Sequence, residues 1–201
     1  MHKLFDDSFQ IKLKQSYNFF LSDTTIYKDT ENIMHQSGLS NKNEKIFSRC
    51  LNQAKESNLL HQHGCIATYG GKIIARGCNT YKSYSSRDMF LNRVCSCHAE
   101  INVLRQIYHA NRRKKHKLNK IMKRTTLYIS RYTDRGTNSN SSAPCMECLN
   151  MIKQFKIKKI VFKLNDSYHV MSANEYYTEH RCQGDLVLDR KMRSLTSTSR
   201  E

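Results

Sequence analysis

Two short stretches decide how this chain reads: Cys97-His98-Ala99-Glu100-Ile101-Asn102 and, with 43 residues between Glu100 and Pro144, Pro144-Cys145-Met146-Glu147-Cys148. Each opens a segment with helical periodicity. Cys145 and Cys148 are three apart, so within one helical turn their sulfurs share a face. A helix start suits thiolates, because free N–H groups and the helix dipole stabilise negative charge there. Pro144 suits the same start. Two thiolates and the His98 imidazole make a three-ligand zinc set, Zn2+ being the expected cofactor, with a fourth position open to water. Glu100 lies two residues past His98 and does not share its helix face. The two converge only where the helix begins, which sets Glu100 beside the metal rather than on it. A carboxyl there can carry protons between water and a leaving amine. The plainer alternatives are a structural zinc or a buried C-x-x-C turn for the cysteines, and an ordinary first-turn acid for Glu100.

Outward from these stretches, apolar residues set an alternating frame. Ile46, Phe47, Cys50, Leu51 and Ala54 recur at helical spacing, which predicts a helix over 44–57. Residues 63–69 and 72–78 read as strands joined by Gly70-Gly71, a hairpin turn signal. Residues 79–94 read as polar loop. Val103, Leu104, Ile107 and Tyr108 predict a helix over 98–110, Leu127 and Ile129 a strand over 125–129, Leu149, Ile152 and Phe155 a helix over 145–155, and Ile160 to Phe162 a strand over 159–162. One further helix is expected near 172–180. A hairpin followed by alternating helices and strands implies an α/β protein with a mixed sheet covered by helices.

Over residues 44–165 the chain resembles the cytidine and deoxycytidylate deaminase superfamily, whose signature pairs H-x-E with P-C-x-x-C. The run from Cys97 to Asn102 resembles the C-H-A-E-x-N of the deoxycytidylate branch most. The resemblance implies a three-layer α/β/α cytidine-deaminase-like fold with a mixed central sheet. It also implies zinc on His98, Cys145 and Cys148, and Glu100 as the catalytic proton shuttle. Gly77-Cys78-Asn79 resembles the family's G-x-N, which makes Asn79 a substrate-binding residue; a turn asparagine after a strand is the plain alternative. The backbone N–H of Ala99 is expected to meet the pyrimidine. The implied reaction converts a cytosine-type nucleotide, foremost dCMP, to its uracil analogue with release of ammonia, in a homo-oligomer. Two features depart from compact members: the basic run 112–124 and the Ser/Asn-rich approach 132–142. Both are expected beside the pocket, where they would alter substrate choice.

The 201 residues carry 34 basic and 17 acidic side chains, a net charge of +17 that favours anionic partners. Eight of the cations lie between Arg112 and Arg124, so +9 remains without them and basicity is spread over the chain. The run could grip a nucleic-acid backbone, or it could be a solvated extension. It has no interleaved aromatics for base stacking. An RNA- or single-strand-directed cytidine or adenosine deaminase is therefore an alternative to the mononucleotide enzyme. A catalytically silent, zinc-stabilised nucleic-acid-binding protein is another. Cysteines without an export signal point to metal or buried thiols in a cytoplasmic setting rather than to disulfides. His61, His63, Cys65 and Cys95 are candidates for a second zinc, although no spacing singles them out. Cys97 reads as a packed thiol. No stretch has the length of a membrane span. Residues 1–43 read as a polar N-terminal extension, 44–189 as the deaminase domain with a basic insertion at 111–124, and 190–201 as a disordered tail.

Overall fold

A computed structural model describes residues 39–86, 90–91, 94–133, 141–165, 167–187 and 189–190. All of them belong to one compact unit that spans 35–201. The expected extension up to residue 38 and the tail from 191 lie outside the described residues. Helix α1 (Asn41–Lys55) starts three residues ahead of expectation, because the Ser40 hydroxyl accepts from the Asn43 N–H and caps it. Strands β1 (Gln62–Tyr69) and β2 (Lys72–Cys78) form the expected hairpin, with Gly70 and Gly71 at φ +58° and +79°. Next come α2 (Ala99–Asn111), α3 (Lys115–Met122), β3 (Thr125–Tyr132), α4 (Met146–Gln154), β4 (Lys159–Leu164) and β5 (Ser167–Ser172).

The sheet order is β2-β1-β3-β4-β5. Only the β3–β4 pair is parallel, with α4 as its crossover. Strand alternation divides the core into two layers. Ile66, Tyr128 and Val161 face α1 and meet its Ile46, Phe47 and Cys50. Cys65, Ala67, Leu127, Ile129, Ile160 and Phe162 face the other way, against Val103, Leu104 and Ile107 of α2 and Ile152 of α4. The result is the three-layer α/β/α architecture with a mixed sheet. Helix α1 crosses β1 so closely that a Cβ on Gly64 would lie 2.6 Å from the Ala54 nitrogen. The Cys50 thiol fills the remaining space and donates to the carbonyls of Gly64 and Tyr128 (3.2 and 3.1 Å). Burial pushes that thiol up to about 12, in keeping with a packing role.

Three expectations change. The segment 172–180 is not a helix. After β5 it turns at Ala173 and continues without regular structure, because the Ser172 and Thr178 hydroxyls take the N–H groups of Asn174 and His180. Residues 167–172 form an edge strand that the sequence reading passed over. The basic run forms a helix of its own, α3, anchored by buried Leu118 and Met122 one turn apart.

Candidate active site

Both chemistry-bearing stretches sit at helix starts, in extended backbone that turns the side chain inward. His98 is the N-cap of α2 (φ −66°, ψ 156°) and Cys145 the N-cap of α4 (φ −70°, ψ 167°). Cys148 is one turn into α4. The segment before His98 is held by a two-way backbone bridge: Thr80 and Cys97 exchange N–H···O bonds of 2.9 Å in each direction. Cys97 itself is packed in the core. The approach to Cys145 is held by Ser142, whose hydroxyl donates to the Ile129 carbonyl (2.7 Å) and accepts from the Lys163 N–H (2.9 Å). Those groups lie on β3 and β4 just past the last paired residues, Tyr128 and Val161. The hydroxyl thus stands in for a rung of the ladder where the strands part. On the C-terminal side, the His180 carbonyl accepts from the Met146 N–H at the start of α4 (2.8 Å).

These anchors bring together Nδ1 of His98 and Sγ of Cys145 and Cys148, all within 4.8 Å of one another. Nδ1 lies 3.1 Å from the Cys148 sulfur and 3.5 Å from that of Cys145. Tetrahedral zinc with ordinary bond lengths needs such atoms about 3.5–3.8 Å apart, so small shifts seat the ion. The electrostatics agree. A hydrogen bond from Cys148 is the largest influence on Cys145 and, with His98, pulls that thiol down to about 4 against burial. As donor to Cys145, and fully buried, Cys148 is held well above the usual thiol range. Burial opposes a charged His98, yet its hydrogen bonds to Cys145 and Cys182 carry it up to about 11. The three groups are thus coupled through shared hydrogen bonds, and a divalent cation can take the place of the protons that link them. Among the described residues it is the only group that could hold a metal. His61, His63, Cys65 and Cys95 do not assemble a second one.

Glu100 lies just inside α2, 4% exposed, and burial holds its carboxyl above the ordinary range although His98 works against this. Ala99 is fully buried, and as the first helical residue its N–H has no partner within the helix. Asn79 is also buried, and its amide is partly occupied: Oδ1 accepts from the His63 N–H (2.8 Å) and Nδ2 donates to the His61 carbonyl (2.6 Å). It ties the start of β1 to the end of β2 and keeps one N–H and one lone pair. Asn102 makes a second tie, from α2 to the Cys78 carbonyl (2.9 Å). The basic run does not adjoin this site. Helix α2 carries the chain away from His98 for 13 residues, about 20 Å, before the run begins. The run ends at the start of the central strand β3, the opposite end of that strand from Arg131. Cys182, whose hydrogen bond acts on His98, and Arg131, opposite His63 on β3, are neighbours of the cluster that no motif spacing marks.

A His/Cys/Cys set at two helix starts, with a buried carboxyl near it, is the donor set that a zinc hydrolase of the deaminase type needs. The family model for the cytidine and deoxycytidylate deaminase zinc-binding region matches residues 40–164, and the chain belongs to that family of zinc-dependent deaminases. No curated protein matches it in sequence. Among solved structures, dCMP deaminase from the cyanophage S-TIM5 in apo form is similar at 20% identity, over 61% of this chain and 82% of that one, with a TM-score of 0.39. The same phage enzyme in complex with dCMP and dUMP gives 18% identity over the same shares and a TM-score of 0.40. Acinetobacter baumannii RibD gives 14% identity over 59% of this chain and 27% of its own, with a TM-score of 0.32.

Proposed function

We propose that this deaminase acts on a cytosine-bearing mononucleotide, foremost dCMP, and releases ammonia and the uracil nucleotide. The observation that carries the reading is Glu100, a buried carboxyl beside the His98, Cys145 and Cys148 cluster and not within it. In this reading those three residues hold zinc. When bound, the ion supplies Lewis-acid activation that makes water a nucleophile near neutral pH. Glu100 takes a proton from the water attacking C4 and delivers it to ring N3; it then takes the proton of the resulting C4 hydroxyl and passes it to the amine, so that ammonia leaves as the C4 carbonyl forms. The Ala99 N–H orients the pyrimidine. Asn79 holds the β1–β2 edge in place and offers its remaining amide hydrogen to the sugar. Two features support a mononucleotide over a strand: the resemblance of Cys97 to Asn102 to the deoxycytidylate branch, and the distance of the basic run from His98. The proposed catalytic domain is 44–189, with 111–124 as a basic insertion.

The test is ammonia release by zinc-loaded protein with dCMP, CMP, deoxycytidine, cytidine and a short cytosine-containing single strand. Turnover of dCMP that Glu100→Gln abolishes, with zinc still bound, is the expected result. Activity on the strand alone would move the function to editing. Full activity in Glu100→Gln would remove the proton shuttle.

A further inference from the structure

His63 and Arg131 are direct cross-strand partners in the antiparallel β1–β3 pair. Side chains so placed share a face, with Cβ atoms about 5 Å apart. Counting by twos along each strand, His63 shares a face with Cys65 and Ala67, and Arg131 with Leu127 and Ile129. That face packs in one core cluster with Ala99, Cys145 and Cys148. Both side chains therefore project on the side of the metal-binding cluster, from strand ends beside it. The Arg131 guanidinium is held in place: its Nη2 lies 3.0 Å from Nδ1 of His61. Arginine has no acceptor, so the His61 nitrogen accepts. The Arg131 Nε, in contrast, is buried with no hydrogen-bond partner. Among the described residues no carboxylate pairs with Arg131; the ion pair they contain is Arg181–Asp189.

The surroundings have the same polarity. Burial, then the charge of Arg131, then His98, His61 and His180, hold the His63 imidazole down to about 3. Three segments distant in sequence thus turn basic groups toward one place beside the cluster. A guanidinium with an unpartnered Nε–H suits an anion such as a phosphate, and its planar fork can make paired hydrogen bonds that a point-charge ammonium cannot. His63 and Arg131 end their strands on the face that packs against the cluster, so a ligand whose base lies at the cluster can extend its sugar and phosphate toward Arg131.

We infer that Arg131, oriented by His61, is the receptor for the 5′-phosphate of a mononucleotide substrate and sets the preference for nucleotide over nucleoside. This rests on the reading of the site as a nucleotide deaminase. The deciding quantity is the ratio of kcat/KM for dCMP to kcat/KM for deoxycytidine, in wild type, Arg131→Gln and Arg131→Lys. Loss of a charge-assisted phosphate contact lowers that ratio roughly 10- to 100-fold in Arg131→Gln. Arg131→Lys keeps the charge without the fork and falls between. An equal loss on both substrates makes Arg131 a structural clamp between β1 and β3 and overturns the inference, as does an unchanged ratio. Equilibrium binding of dUMP and deoxyuridine supplies a readout independent of turnover. Wild type binds dUMP more tightly, and the folded variants lose that margin. If no cytosine substrate is turned over, the functional reading fails while this binding still judges the phosphate site. A wild-type protein indifferent to the phosphate, or a margin that survives in a folded variant, overturns the inference.

Discussion

Replacing Ser142 by alanine tests how the approach to Cys145 is built. The side chain is 1% exposed and holds two bonds at once, to the Ile129 carbonyl at 2.7 Å and from the Lys163 N–H at 2.9 Å. Alanine fits the space but leaves a β3 acceptor and a β4 donor without this partner. An orphaned buried polar group costs about 1–3 kcal/mol. Lys163 is only half-buried, so water recovers part of its share. The total is then about 2–4 kcal/mol. For a domain of this size, Tm falls roughly 2–4 °C per kcal/mol, which gives a drop of roughly 4–16 °C by calorimetry on zinc-free protein. A second effect follows from position. Ser142 lies three residues before Cys145, so splayed strand ends loosen a proposed ligand, and zinc retention against a competing chelator weakens by roughly 10-fold or more. A variant that melts within 1 °C of wild type would refute the rung argument. One that melts low and holds zinc as before would keep the rung but separate it from the site.

Other outcomes follow from the same packing. Gly64→Ala drives a Cβ into the α1 backbone at Ala54 and costs about 1–3 kcal/mol in urea unfolding; no loss would mean that α1 slides freely on β1. Glu100→Gln keeps zinc by elemental analysis and loses roughly 10²- to 10⁴-fold in kcat; a smaller loss would assign the proton transfer elsewhere. Zinc removal by a chelator lowers Tm, and Cys148→Ser gives the same drop without chelator; equal melting with and without metal would exclude those ligands. His63 is held neutral in the fold, its value depressed to about 3 from 6.5. The unfolded chain takes up that proton first, so stability is full above pH 6.5 and declines as pH falls toward 3. His63→Gln should flatten that part of the curve, and a curve of unchanged slope would show that the imidazole is solvated.

Much of the frame is legible in local pattern. Gly70-Gly71 marks the hairpin because its positive φ values need glycine. The alternating helices and strands follow from apolar periodicity, and the two motif stretches mark the site because they carry their ligands at fixed short spacings. The parts that escaped depend on distant partners. Strand β5 is half-buried at every position, at the sheet edge, so it has no strong apolar alternation to announce it. The 172–180 segment has helix-compatible residues, but two hydroxyls and the contact of His180 with α4 override local preference. Asn79 reads as a ligand for substrate, and only the fold reveals that His61 and His63 hold its amide. Arg131 looks like one more cation in a basic chain until β1 sets His63 opposite it.

The proposed ligands come from far apart: His98 and Cys148 are 50 positions apart in sequence, and the bridges that aim them reach back to Thr80 and forward to His180. In small zinc modules the ion closes a short loop and so initiates folding. Here the order is reversed. Closing a loop that long costs chain entropy before any ligand is gained, and the pair of helix starts faces inward only once β1, β3 and β4 have joined. Metal capture is then a late event, limited by completion of the sheet. Its rate in a refolding experiment becomes a clock for the assembly of the whole domain.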